Sequence, residues 1–287
     1  MGLFTKKNKE ELEPQYYMSA TNVPTYNYKV YYLSKTEKIL YFLLAFVVGA
    51  VVGYLFYGGI GKDEFGQPTM LTYILDVLIS CGVGVAAGVF FLPIRTKQII
   101  EKKQRMLKTQ FRDMLESLTT SLGAGKNVAD SFKSIYDDLK VQYEEDAFIL
   151  KELEIIIFGM ANNVDVEDIL EDFGRRSGIG DIESFANVFR ICYRKGGNIK
   201  DTIRSTHEIL SDKMEIAEDI ETVVTGSKNE QNIMVVMPIL LIGMIKMMSE
   251  DFANNFTSMT GIISTTLAIG IFVASYFIGR AVLDIKV

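Results

Sequence analysis

Apolar residues follow two regimes along this chain. Four runs, residues 39–57, 71–94, 233–248 and 261–283, are apolar on nearly every side, and about 20 mostly apolar residues of helix cross the roughly 30 Å hydrocarbon core of a bilayer. Three runs fit that length. The third is short, carries Pro238 and Lys246, and needs residues 229–232 or Ser249 to complete a span. Between the second and third runs, apolar residues recur at spacings of three and four, the stripe of a helix with one buried face. Phe111, Leu115, Leu118 and Leu122 mark the first such helix; Val128, Phe132, Ile135 and Leu139 the second; Ile149, Leu153, Ile156 and Met160 the third. Val166, Leu170 and Phe173 mark the fourth, Ile182, Phe185, Phe189 and Cys192 the fifth, and Ile199, Ile203, Thr206 and Leu210 begin the sixth. Strand-like alternation is absent. The pattern predicts an all-α membrane protein with two transmembrane helices, a six-helix bundle, and two further transmembrane helices.

The polar region repeats itself. Gly125-Lys126-Asn127-Val128-Ala129-Asp130 is echoed 71 positions later by Gly196-Gly197-Asn198-Ile199-Lys200-Asp201, and Asp165-Val166-Glu167-Asp168 carries the same turn chemistry between helices three and four. The bundle therefore reads as three helix hairpins in series. Asn127, Asp165 and Asn198 stand where a short polar side chain caps free amides, with Asp130, Asp168 and Asp201 placed to complement the helix dipole. Gly125 and the Gly196-Gly197 pair supply the left-handed residue that ends the preceding helix. With antiparallel neighbours, the three turns are expected together at the end remote from the membrane. The connections around residues 144–146 and 175–176 are expected on the membrane side.

Of the chain's 287 residues, 48% are apolar, and the four runs hold so many of these that only a modest soluble domain remains. Lys and Arg gather in the amino-terminal arm (Lys6, Lys7, Lys9, Lys29, Lys35, Lys38), after the second run (Arg95, Lys97, Lys102, Lys103, Arg105, Lys108, Arg112) and at the carboxyl end (Arg280, Lys286). The positive-inside rule turns these regions, and with them both termini, to the cytoplasm, leaving loops 61–70 and 249–260 outside. The expected divisions are a cytoplasmic arm (1–37), transmembrane helices one and two (38–95), a cytoplasmic helical domain (96–232), and transmembrane helices three and four with a short tail (233–287). The first thirty residues contain no apolar stretch of the kind a secretory signal needs. The arm, with Pro14, Pro24, Tyr26, Tyr28, Tyr31 and Tyr32, is too short for a domain and reads as partly disordered or laid along the membrane surface.

Residues 113–229 hold about 24 acids against about 13 bases, which argues against nucleic acid and suits a basic protein partner. Residues 122–127 resemble a phosphate loop only in passing: position 120 is Thr, Asn127 follows Lys126, and the phrase ends a helix instead of a strand. His207 has no partner nucleophile or second histidine at useful spacing, and Cys81 and Cys192 are too far apart to pair, so the chain offers no catalytic constellation, metal site or cofactor site. Asp76 and Lys246 are the polar residues within spans that carry most interest. They fall near the outer face at similar depth, either as an ion pair or as two residues that snorkel separately. Gly49-x-x-x-Gly53 and Gly84-x-x-x-Gly88 permit close helix approach and weakly favour oligomerisation.

Two phrases carry a family resemblance: residues 111–125, Phe-Arg-Asp-Met-Leu-Glu-Ser-Leu-Thr-Thr-Ser-Leu-Gly-Ala-Gly, and residues 189–203, Phe-Arg-Ile-Cys-Tyr-Arg-Lys-Gly-Gly-Asn-Ile-Lys-Asp-Thr-Ile. With the Pro-containing third run and the fourth, they resemble the F-domain family of type II secretion and type IV pilus machines over residues 105–283. One such domain preceded by two spans is closest to the TadB and TadC type of tight-adherence (Flp) pilus assembly. The resemblance implies a non-enzymatic platform that couples a cytoplasmic secretion ATPase to pilin subunits, pairing with itself or with a sister protein. The ATPase contact is then expected at the capped end, from among Lys126, Asn163, Asp165, Arg194 and Lys195. The competing class, a four-span sensor or transporter subunit, calls for a sizeable outer domain or for several intramembrane polar residues and related halves, none of which the sequence displays.

Overall fold

The helical stripes and apolar runs become nine helices in the computed structural model, which describes residues 13–63, 67–195 and 198–283. They are α1 (Lys35–Tyr57), α2 (Met70–Gly123), α3 (Val128–Gln142), α4 (Phe148–Ala161), α5 (Val166–Ser177), α6 (Gly180–Lys195), α7 (Ile199–Met248), α8 (Glu250–Thr257) and α9 (Met259–Leu283). About 81% of the molecule is helical, so the fold is all-α. Windows in α1, α2, α7 and α9 are long and apolar enough to cross a membrane, which makes the chain a multi-pass membrane protein.

The residues divide into two compact units. The first holds the described residues up to Tyr32 with Thr96–Met214, and the second holds Leu33–Arg95 with the chain from Glu215 onward.

In the first unit the apolar stripes of α2 to α7 meet in one core. Leu107, Phe111, Met114, Leu115 and Leu118 of α2 join Phe132 and Ile135 of α3, Ile149, Leu153 and Ile156 of α4, Phe173 of α5, Phe185 and Phe189 of α6, and Ile203 of α7. Phe111 is at its centre, edge-on to Phe173 and Phe185 with ring centroids 6.1 and 5.4 Å away, the geometry aromatic pairs prefer.

The arm departs from the sequence expectation. Its described part folds onto the bundle. It contributes two short strands, β1 (Tyr16–Met18) and β2 (Pro24–Tyr26), paired antiparallel, and continues into Tyr28, which is 2% exposed within the core. The hairpin is too short for its alternation to stand out, and its tyrosines find partners only in the fold. Tyr26 accepts from Lys103 Nζ at 2.9 Å, and the same ammonium lies 4.2 Å from the Tyr31 ring centroid.

Asp181, in the first turn of α6, accepts from Lys213 Nζ at 2.6 Å and lies 3.0 Å from Lys108 Nζ. Burial pushes its carboxyl pKa up, but the two ammonium groups outweigh that and hold it below the usual carboxylate range. Such an acid stabilises the folded state above the pKa of the unfolded chain, near about pH 4. That contribution is lost as pH falls through the lower folded value. Asp181→Asn is therefore expected to lower the melting temperature at pH 7 and to shrink the further loss on acidification below about pH 4. Melts followed by circular dichroism across that range check this.

In the second unit α1 and α2 approach closely through the two glycine pairs. A Cβ at Gly49 would stand 2.7 Å from Ala87 Cβ, and one at Gly84 would stand 2.8 Å from the Phe46 carbonyl oxygen. The sequence reading assigned these glycines weakly to oligomerisation; here they serve packing within the chain, where small residues let helix backbones meet. The short third run is completed because α7 stays helical through residues 229–232 and past Pro238 to Met248. Gln231 Nε2 there donates to the Tyr276 carbonyl of α9 at 3.0 Å. The expected loop after it is partly helical: Ser249 Oγ accepts from Phe252 N at 3.3 Å and opens α8.

Asp76 and Lys246 do not pair. Asp76 Oδ1 accepts from Gly59 N at 2.8 Å, and Lys246 Nζ lies 4.9 Å from the Phe256 ring centroid. The turn after α1 offers Asp76 an amide, and α8 offers Lys246 an aromatic face, so each finds a nearer partner.

Candidate functional site

The capped turns come together at one end of the first unit. At the first turn, Asn127 Oδ1 accepts from Asp130 N at 2.8 Å while Asn127 Nδ2 donates to Asp130 Oδ2 at 2.7 Å. Gly125 before it adopts φ +86°, a conformation that glycine takes without penalty. The third turn repeats the arrangement: Asn198 Oδ1 accepts from Asp201 N at 3.3 Å, and Asn198 Nδ2 donates to the Asp201 carboxylate. Gly197 lies outside the described residues.

The second turn differs from its sequence expectation. Asp165 occupies the N-cap of α5, but its side chain makes no capping bond. Its backbone carbonyl takes Asp168 N at 3.0 Å instead. The left-handed residue before it is Asn163, with φ 59°, a conformation Asn tolerates better than most side chains.

Two contacts join the turns. Arg194, at the end of α6, donates through Nε to Glu167 Oε1 at 3.0 Å, and its Nη2 lies 3.6 Å from Asp168 Oδ1. These carboxylates raise its pKa above the ordinary guanidinium value, led by the hydrogen bond to Glu167. At Gly123, an added Cβ would lie 3.7 Å from Lys200 Cε, so the end of α2 abuts the start of α7. Lys126 Nζ donates to Ser134 Oγ at 2.7 Å. All five residues expected to contact a partner, Lys126, Asn163, Asp165, Arg194 and Lys195, are exposed on this surface. Arg194 is held by its neighbours and braces the turns.

A second cluster escaped the sequence reading. Arg176 of α5, with a fully buried side chain, donates to Glu152 Oε1 and Oε2 at 2.7 and 2.6 Å and to Asp172 Oδ2 at 2.8 Å. Burial alone would lower its pKa, but the paired carboxylates hold it above the ordinary value. The arm closes the cluster: Tyr28 Oη donates to Glu152 Oε1 at 2.9 Å, Tyr28 N donates to the Arg176 carbonyl at 3.0 Å, and Arg176 Nη1 donates to the Tyr26 carbonyl at 3.2 Å. Burial and the adjacent Glu152 keep the Tyr28 hydroxyl protonated well past its usual pKa. A signal was available. Glu152 follows Ile149 by three positions and Arg176 follows Phe173 by three, so opposite charges occupy core positions of two different helices.

Among the described residues, no group of three His, Cys, Asp or Glu is arranged to hold a metal ion. Cys192 Sγ lies 3.3 Å from Thr202 Oγ1, joining α6 to α7. Comparison with protein-family models, curated proteins and solved structures returned no match to this chain.

Proposed function

We propose that this protein is an inner-membrane platform of a tight-adherence (Flp) or type IV pilus machine, or of a type II secretion-like one. In this reading it is not an enzyme. The first unit is a cytoplasmic six-helix bundle of three hairpins, related to the F domain and closest to the TadB and TadC type, with both chain termini in the cytoplasm. It receives the motion of a cytoplasmic secretion ATPase and passes it to the membrane helices, which lift pilin subunits toward a growing filament. A second copy or a sister protein completes the platform.

The observation that carries this reading is the gathering of three chemically related turns on one surface, the second and third joined through Arg194, Glu167 and Asp168 and the first brought beside the third where Gly123 meets Lys200. A rigid bundle suits force transmission because packed interiors transmit displacement with little compression. The two phrases that resemble the F-domain family lead into the first and third of those turns.

The test is co-purification of the full-length protein, in detergent, with the secretion-type ATPase of the same organism, with and without ATP. A stable complex that responds to nucleotide is expected. Lys126→Glu with Lys195→Glu is expected to weaken it at least about tenfold while leaving the melting temperature unchanged, since reversed charges oppose a complementary surface. No complex between folded proteins, with the sister platform protein also present, would sink the assignment.

A further inference from the structure

Between α2 and α3 runs a polar groove of about 620 Å³. Helical spacing builds both walls. Glu116, Ser117 and Ser121 line it from α2, Ala124 from the turn that follows, and Ser134 and Asp138 from α3. Small side chains on facing stripes leave room that larger residues would fill.

The groove is uneven in how its charges are satisfied. At one end Asp113 is saturated: Arg112 Nη2 donates to it at 3.0 Å, Gln142 Nε2 at 3.4 Å, and the Tyr143 hydroxyl also donates to it. At the other end Lys126 donates to Ser134. Between these ends the carboxylates of Glu116 and Asp138, one on each wall, have no hydrogen-bonding or ionic partner among the described residues. Ser121, 7% exposed, has a buried hydroxyl oxygen that likewise lacks a hydrogen-bond partner. Buried polar atoms are nearly always satisfied, so an open acceptor beside two unpaired carboxylates marks a place for a donor from outside.

We infer that this groove receives a protein segment bearing Lys or Arg, whose cationic side chain lies between Glu116 and Asp138 and donates toward the serine hydroxyls. A flexible basic stem fits the small-residue floor, and its multiple donors match two carboxylates on opposite walls. The preference for a cationic segment holds whether or not the capped end engages an ATPase.

The test uses the full-length protein in detergent and a fluorescein-labelled hexa-arginine peptide, read by anisotropy at about 0.1 M salt, where charges on contacting surfaces still act across a Debye length of about 10 Å. Glu116→Gln with Asp138→Asn is expected to weaken binding about five- to tenfold, the scale of two partly exposed ion pairs. Glu183→Gln with Glu208→Gln removes the same charge from exposed positions elsewhere in the unit and is expected to change binding less than about twofold. Ser117→Trp keeps the charge and fills the groove, and it should abolish binding if its melting curve shows a folded protein. Equal loss from both charge-neutralised pairs, or unchanged binding by folded Ser117→Trp, would overturn the inference. If Ser117→Trp does not fold, the two charge pairs decide alone.

Discussion

Arg176→Met is expected to destabilise the first unit by about 3–5 kcal/mol, the range for stripping one partner from a buried ion network. The side chain is fully buried and pairs with both Glu152 and Asp172, which are 1% and 4% exposed; Asp172 also receives Arg175 Nη2 at 2.9 Å, whereas Arg176 is the only cation paired with Glu152 among the described residues. Removing it leaves the Glu152 carboxylate charged in the interior without a cation, or forces it to take up a proton, leaves Asp172 only Arg175, and withdraws a donor from the Tyr26 carbonyl. Replacing the whole network by apolar side chains of similar size, Tyr28→Phe, Glu152→Met, Asp172→Leu and Arg176→Met together, should recover most of the loss. Urea unfolding followed by helical circular dichroism measures both, which suits a chain with no tryptophan. A single substitution costing under about 1 kcal/mol would show that water or rearrangement satisfies the carboxylates.

Gly84→Leu is expected to separate α1 from α2 and to cost about 1–3 kcal/mol or more, the range for overpacking a fitted contact. A Cβ there meets the Phe46 carbonyl and ring at 2.8 Å, one atom being backbone that cannot swing aside. Gly82 supplies the control: it lies two residues away in the same helix with nothing within 4 Å of its added Cβ. Gly82→Leu should leave the protein as stable as the native one or slightly more so, because leucine is the better helix former. Resistance to unfolding by dodecyl sulfate in mixed micelles compares the two. Equal behaviour would mean that the helices do not meet through Gly84.

These two sites also divide what could be read in advance from what could not. The apolar runs and three-four stripes announce the helices because burial against lipid or core imposes its period directly on the chain. The cap at Asn127 was legible for the same reason: capping is a local interaction spanning three residues. At Asp165 the same rule misled, because the backbone carbonyl of Asp165 itself took the Asp168 amide in place of the side chain. The role of the arm was not legible. Tyr28 and Glu152 are 124 positions apart, and local pattern cannot express a hydrogen bond over that separation.

The glycine pairs were visible as close-approach sites, but a sequence cannot say which helix approaches, and only the fold assigned that partner to the same chain. Asp76 and Lys246 stood out as costly intramembrane charges, yet their partners, a turn amide and an aromatic ring, were decided by where α8 and the turn after α1 fall. By itself, then, the sequence determined the helices, their apolar faces and the membrane character, because each depends on residues within a few turns of one another. The tertiary structure decided the partners of the buried charges, the docking of the arm and the salt bridges of Arg194 to Glu167 and Asp168, because those contacts bring together residues far apart along the chain.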